Sequence, residues 1–305
     1  PFRIGFSSVG GWGYFDGKID QVRIFNSILS ASEISDLYAE PAASNNTLNY
    51  PAGAGCIAAY PLETDAVDLS GNYNGSSSNV TFSQPGYLTQ NTEGTITSTV
   101  AANVDAGFSI VSWTGNGNDA TVGTGLSQQA ELVITKGTAN LATYNSWITY
   151  HTDLPTNYHL YLNTADSEQN GAGDYFRDSA FTSEVFGLGN DIYGPNVNNT
   201  TMIAYCFHSV AGYSRVGSFI GGTSGSFVYT GFQPRLILIK RTDSSGSWNI
   251  FDDKINSGNA WDNYLRPNTS GIEASGTTIF TVTSTGFNIN YAFANGSTYI
   301  FLAIA

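Results

Sequence analysis

Apolar positions in this chain fall in short runs broken by Gly, Asn, Ser and Thr. That is the pattern of half-buried strands joined by turns. Residues 18–25 form one such run, with Ile19, Val22, Ile24 and Phe25 apolar. One helix follows. Ser30 and Glu33 form a capping box, Leu29 and Ile34 fit the hydrophobic staple around it, and Ile34, Leu37 and Tyr38 share a helical face that Pro41 ends. Residues 41–55 have the composition of a linker. Residues 56–82 restart with Ile57, Ala58, Ala59, Tyr60 and Leu62, then run through Asp65 and Asp68 into a Gly/Asn turn at 70–75. Residues 83–104 are weakly patterned and read as a second connector.

From residue 105 the chain repeats itself at an offset near a hundred residues. Gly107-Phe108-Ser109 matches Gly212-Tyr213-Ser214, and Val122, Thr124, Gly125 and Leu126 match Val228, Thr230, Gly231 and Phe232. The run 131–136 matches 235–240, Ser146-Trp147 matches Ser247-Trp248, and Leu160, Asn163 and Thr164 match Leu265, Asn268 and Thr269. Residues 201–207 match 298–304. The runs 236–239 and 299–304 are apolar on both faces, so they are expected to be buried on both sides, within sandwiches of two sheets. Asn116-Gly117, Gly221-Gly222 and Ser245-Gly246 read as hairpin-type turns.

Composition narrows the class. There are 34 Gly, 18 Tyr and 18 Phe, and 11% of residues are charged, against about 25% in an average soluble domain. Aromatics at 13% carry too much buriable area for disorder. The net charge of −13, with 11 Lys plus Arg, offers no basic face to displace counterions, which sets nucleic acid aside. It also works against anionic membranes, and no apolar run approaches the ~18 residues of a spanning helix. Cys56 and Cys206 read as free thiols. No signal peptide is visible, and the start at Pro1 without Met leads us to expect a missing N-terminal portion.

Catalytic chemistry is hard to assemble from these residues. A jelly-roll hydrolase would carry alternating acids of the type E-x-D-x-E; Glu63 and Asp65 alternate but lack a third partner. His151 and Asp153 have no G-x-S-x-G nucleophile to serve. His151, His159 and His208 therefore read as incidental surface or edge histidines, and Gly221-Gly222-Thr223, without a Walker lysine, as a turn. No enzyme is expected. Trp147 and Trp248 recur in both copies and read as core. Trp12, Trp113 and Trp261 are not duplicated as Trp and are the candidates for an exposed ligand-binding platform.

Two resemblances add to this reading. FDGKIDQVRIFNSILSASEISDLYAE (15–40) resembles the closing strand and helix of a laminin-G-like, concanavalin-A-type jelly roll, and CIAAYPLETDAVDLSGNYNGSSSNVTF (56–82) resembles its opening. GFSIVSWTGNG (107–117) and VYTGFQPRLILIKRTDSSGSW (228–248) are similar to a duplicated β-rich domain of structural proteins from tailed, often marine, bacteriophages. The expected architecture is all-β: the end of a jelly roll over 1–42, a linker with a jelly-roll-like start over 43–106, and β-sandwich repeats over 107–211 and 212–305. The resemblance implies a virion appendage (tail fibre, tail tip or head fibre) that attaches to a host-surface glycan or receptor. It also implies a location on the virion surface, a homotrimer, contacts with other virion proteins, and a calcium site drawing on Asp20, Asp65 and Asp68. A purely structural virion role and a carbohydrate-active enzyme are the alternatives.

Overall fold

The computed structural model describes residues 4, 19, 21–39, 48, 50–62, 66–76, 89–138, 146–172, 175–190, 193–222, 226–290, 293 and 296–305. The chain divides into two compact units, Pro1–Gln84 and Pro85–Ala305. Strands dominate the second unit and the chain as a whole, so the protein is all-β. Among the described residues no helix is long and apolar enough to cross a membrane.

The first unit holds β1 (Val22–Phe25), α1 (Ala31–Ala39) and β2 (Cys56–Tyr60). β1 and β2 pair antiparallel, Val22 opposite Tyr60 and Phe25 opposite Cys56. The segment resembling a jelly-roll end is thus hydrogen-bonded to the segment resembling a jelly-roll start. The capping box forms reciprocally: the Ser30 amide donates to Glu33 Oε2 at 2.7 Å, and the Glu33 amide donates to Ser30 Oγ at 3.3 Å. The expected apolar face of α1 is not packed, since Ile34 is 56% and Tyr38 94% exposed.

The second unit contains both repeats. The first comprises β3 (Thr89–Asn91), β4 (Ser98–Asn103), β5 (Phe108–Thr114), β6 (Ala120–Gly123), β7 (Leu132–Gly137), β8 (Ile148–His151), β9 (Tyr158–Tyr161), β10 (Gln169–Asn170), β11 (Val185–Leu188) and β12 (Thr201–Phe207). The second comprises β13 (Ser214–Ile220), β14 (Ser226–Tyr229), β15 (Leu236–Arg241), β16 (Asn249–Asp252), β17 (Ala260–Tyr264), β18 (Ala274–Thr283), β19 (Gly286–Ile289) and β20 (Thr298–Ile304). β4 arises inside the stretch read as a connector. Its small residues alternate inward and outward, with Ser98 and Val100 buried, and it pairs along its whole length with β5.

The duplication is structural. In the first repeat β12 lies between β5 and β7, and β7 pairs β8; in the second β20 lies between β13 and β15, and β15 pairs β16. The register matches on one side, where Phe207 faces Leu132 as Ile304 faces Leu236; on the other, Phe207 faces Phe108 while Ile304 faces Ser214, one residue beyond the Tyr213 that the sequence aligns with Phe108. Local chemistry matches as well. The Trp147 amide donates to Asn163 Oδ1 at 2.8 Å, and the Trp248 amide donates to Asn268 Oδ1 at 3.0 Å. Gly125 and Gly231 both take positive φ (67° and 88°) in the shared Thr-Gly turn, a conformation glycine adopts without steric cost.

The container of the two-faced strands differs from two separate sandwiches. Alternate side chains of β7 and β12 (Val133, Met202, Ala204, Cys206) enter a core with β6 and β11. Their other faces meet the back of the second repeat in a shared core, where Leu132, Ile134 and Leu160 pack with Val216, Leu238, Trp248, Ile300 and Leu302. The opposite face of β15 and β20 (Ile237, Ile239, Phe301) enters a third core with β14, β17, β18 and β19. Each central sheet is therefore clad on both sides, which is why its strands lack polar alternation. Asn116-Gly117 and Gly221-Gly222 accordingly carry the chain from one sheet to another; only Ser245-Gly246, between β15 and β16, closes a hairpin.

Candidate functional site

Of the three aspartates expected to ligate calcium, Asp68 lies among the described residues, and Asp20 and Asp65 lie outside them. Asp68 is 1% exposed. Its Oδ1 accepts the Ala59 amide at 2.9 Å, and its Oδ2 accepts the Ser70 hydroxyl and the Tyr73 amide. Burial raises its pKa, but these donors outweigh burial and hold the carboxyl below its ordinary value. Asn74 Oδ1 accepts the Asp68 amide at 3.0 Å, and the Gly75 amide donates to the Ala66 carbonyl at 2.9 Å. The D-x-S-G-N-x-N-G run is thus a loop staple that ties the turn to β2. Among the described residues, no three His, Cys, Asp or Glu side chains gather as a metal-binding group.

The tryptophans also move from surface to core. Trp12 lies outside the described residues. Trp113, 3% exposed, packs edge-on against Phe186 with centroids 5.4 Å apart. Trp261 is 1% exposed and donates its indole N–H to the Gly258 carbonyl at 3.2 Å. Neither offers a face to a ligand, which corrects the expectation of an exposed platform. The physical reason is strand alternation: Val111 and Trp113 share the inward face of β5, and Trp261 lies opposite Phe280 inside the third core. The duplicated pair behaves as expected at Trp248, which is 2% exposed, whereas Trp147 is only half-buried beneath the Lys136 ammonium, 5.6 Å from its ring centroid.

Exposed aromatics occur instead on β14, where Phe227 is 49% and Tyr229 64% exposed. They edge an open groove of about 400 Å³ that runs between the repeats. Glu131 and Asp153 of the first repeat line it, together with Arg215 of β13 and with Phe227 and Tyr229 from the second. Glu131 Oε2 accepts the Ser209 amide at 2.5 Å, which fixes the carboxylate at the seam. Ion pairs among the described residues join Arg177 to Asp119, Arg235 to Asp253, Arg241 to Asp243 and Lys254 to Asp253. Arg215, Glu131 and Asp153 take part in none of these.

With this geometry in view, the family relationship is clear from a match over residues 18–305 to the family described as Domain of unknown function (DUF7483). The chain belongs to that family. No curated protein and no solved structure matches it. The DUF7483 match spans part of the first unit and all of the second, so it takes in the paired β1 and β2 as well as both repeats.

The DUF7483 chain carries a second, equivalent hollow in its other repeat, lined by Arg235, Asp253 and Lys254. There the charges neutralise one another, with Arg235 Nε 2.7 Å from Asp253 Oδ2. Register makes Arg235 and Lys254 the counterparts of Glu131 and Asp153, so equivalent positions carry opposite charge. The residues that line the groove form no sequence motif. The available signal was the pair Phe227 and Tyr229, alternate aromatics on a short strand bounded by glycine turns.

The three histidines are buried, at 1%, 2% and 2% exposed for His151, His159 and His208, which corrects their reading as surface or edge residues. His159 stacks on Tyr175 with centroids 4.2 Å apart. His151 occupies the register position of Asp252 and does the same work: its Nδ1 accepts the Asp153 amide at 3.1 Å, as Asp252 Oδ1 accepts the Lys254 amide at 2.7 Å. Lys240 is fully buried at the seam and donates to the Arg241 carbonyl at 2.6 Å. Burial lowers its pKa to about 8, against the opposing pull of Asp166 from the first repeat.

Proposed function

We propose that this chain is a non-enzymatic attachment module of a virion appendage, which holds a host-surface ligand in the groove between its two repeats. The observation that carries the reading is the pairing of two exposed aromatics, Phe227 and Tyr229, with three charged side chains outside every described ion pair, Glu131, Asp153 and Arg215. Such a groove combines apolar contact area with polar groups that fix orientation. The assignment to a virion rests on the likeness of both repeats to the phage domain. Display as a homo-oligomer, a trimer in this reading, would raise weak single-site binding by ~10²–10⁴ through avidity.

A labelled, oligomerised form of the chain applied to a panel of intact bacteria tests the proposal. Saturable retention on some strains and not others is the expected result. Absence of saturable retention on every strain would instead favour a structural virion role.

A further inference from the structure

We infer that the groove takes an uncharged, hydroxyl-rich saccharide, an inference that rests on the attachment reading above. The aromatic wall comes first. Phe227 and Tyr229 are alternate residues of β14 and point to the same face, with anchors ~7 Å apart at ~3.4 Å per residue. The opposing strand leaves room for them. Gly286 lies opposite Tyr229, and a Cβ there would come within 2.9 Å of the Phe227 ring and 2.1 Å of the Val228 carbonyl oxygen. Bare backbone on β19 thus lets the Phe227 ring lie over it, and two flat apolar faces remain open to the C–H face of a pyranose ring.

The polar groups then select among ligand classes. Glu131 and Asp153 are acceptors; Glu131 Oε2 already takes the Ser209 amide, so the two-oxygen fork to a vicinal diol falls to Asp153. Arg215, which lines the groove, supplies up to five donors. An anionic sugar would bring its carboxylate or sulfate against Glu131 and Asp153. A cationic ligand would be drawn to the rings and acids but would also meet the Arg215 guanidinium in the same groove. Mixed signs in one small groove penalise both kinds of net charge and leave hydrogen-bonding neutral groups as the best match. High salt would screen the overall charge of −13, but it acts much less on groups this close to one another.

Both repeats are needed, because Glu131 and Asp153 belong to the first while Arg215, Phe227 and Tyr229 belong to the second. Neither repeat alone would present the complete constellation.

The experiment uses the full chain on beads carrying mannan, galactan or dextran (neutral), alginate (anionic) or chitosan (cationic), in parallel with intact bacteria before and after periodate oxidation. The expected result is retention on at least one neutral polysaccharide. That retention should fall tenfold or more in Tyr229→Ala and in Arg215→Ala, and cell retention should be lost after periodate. Both side chains are exposed, so circular dichroism should show these variants folded. Binding confined to alginate or chitosan overturns the inference, as does neutral binding unchanged in both variants. Retention on cells that survives periodate overturns the saccharide and leaves the attachment reading standing. No saturable retention on any strain or any bead overturns both.

Discussion

Trp248→Ala is expected to cost about 3–5 kcal/mol, the range for removing a buried tryptophan from a packed core. Trp248 is 2% exposed in the core shared by the two repeats, and its indole N–H donates to the Tyr161 carbonyl of the first repeat at 2.9 Å. The loss therefore falls on both repeats together, and unfolding of the second unit should stay a single transition at lower urea. Trp248→Phe keeps most of the ring and removes the donor, so it should cost about 1–2 kcal/mol. The sister substitution Trp147→Ala should also cost only about 1–2 kcal/mol, since a half-exposed side chain forfeits less burial. Urea unfolding followed by far-ultraviolet circular dichroism and by fluorescence checks this order. Equal losses at Trp147 and Trp248 would contradict the difference in their burial.

The second large effect is a pH dependence set by His151. Burial lowers its pKa to about 4, against partly opposing pulls from the Asp153 carboxylate and the Phe301 backbone. Nδ1 accepts the Asp153 amide, so the neutral ring carries its proton on Nε2. The unfolded chain takes up a proton near pH 6.5 and the folded chain only near 4, so folding releases a proton within that window. Stability from this group is complete above pH 6.5 and is lost as the pH falls towards 4, by up to about 3 kcal/mol at ~1.4 kcal/mol per unit. His151→Asn keeps an acceptor for the Asp153 amide without titrating, much as Asp252 caps the equivalent turn in the second repeat. Unfolding free energies at pH 7 and pH 4.5 should fall further in the wild type than in His151→Asn, and parallel losses would sink the assignment.

What could be read from residues alone was local or repetitive. The capping box of Ser30 and Glu33 needs only a spacing of three, and the geometry forms. The duplication needed only self-comparison. The matching residues Asn163 and Asn268 make the same hydrogen bond, and Lys136 and Lys240 fall in equivalent registers. What could not be read depended on distant chain. The two-faced strands announced burial on both sides, but nothing local told a second sheet of the same repeat from the back of the other repeat. Trp113 and Trp261 differ from Trp147 in what packs over them, and the partners that cover them lie 73 and 19 residues away, at Phe186 and Phe280. The groove was hidden for the same reason, since its lining draws Glu131 and Asp153 from one repeat and Arg215 from the other.

The account stands or falls on where the chain holds its ligand. The most direct measurement is retention on intact cells of the wild type, a Phe227→Ala/Tyr229→Ala double variant of the inter-repeat groove, and Lys254→Ala in the equivalent hollow of the second repeat. We expect the double variant to lose at least tenfold in retention while Lys254→Ala matches the wild type. Undiminished retention by the double variant, or a loss confined to Lys254→Ala, would place attachment elsewhere and contradict the account.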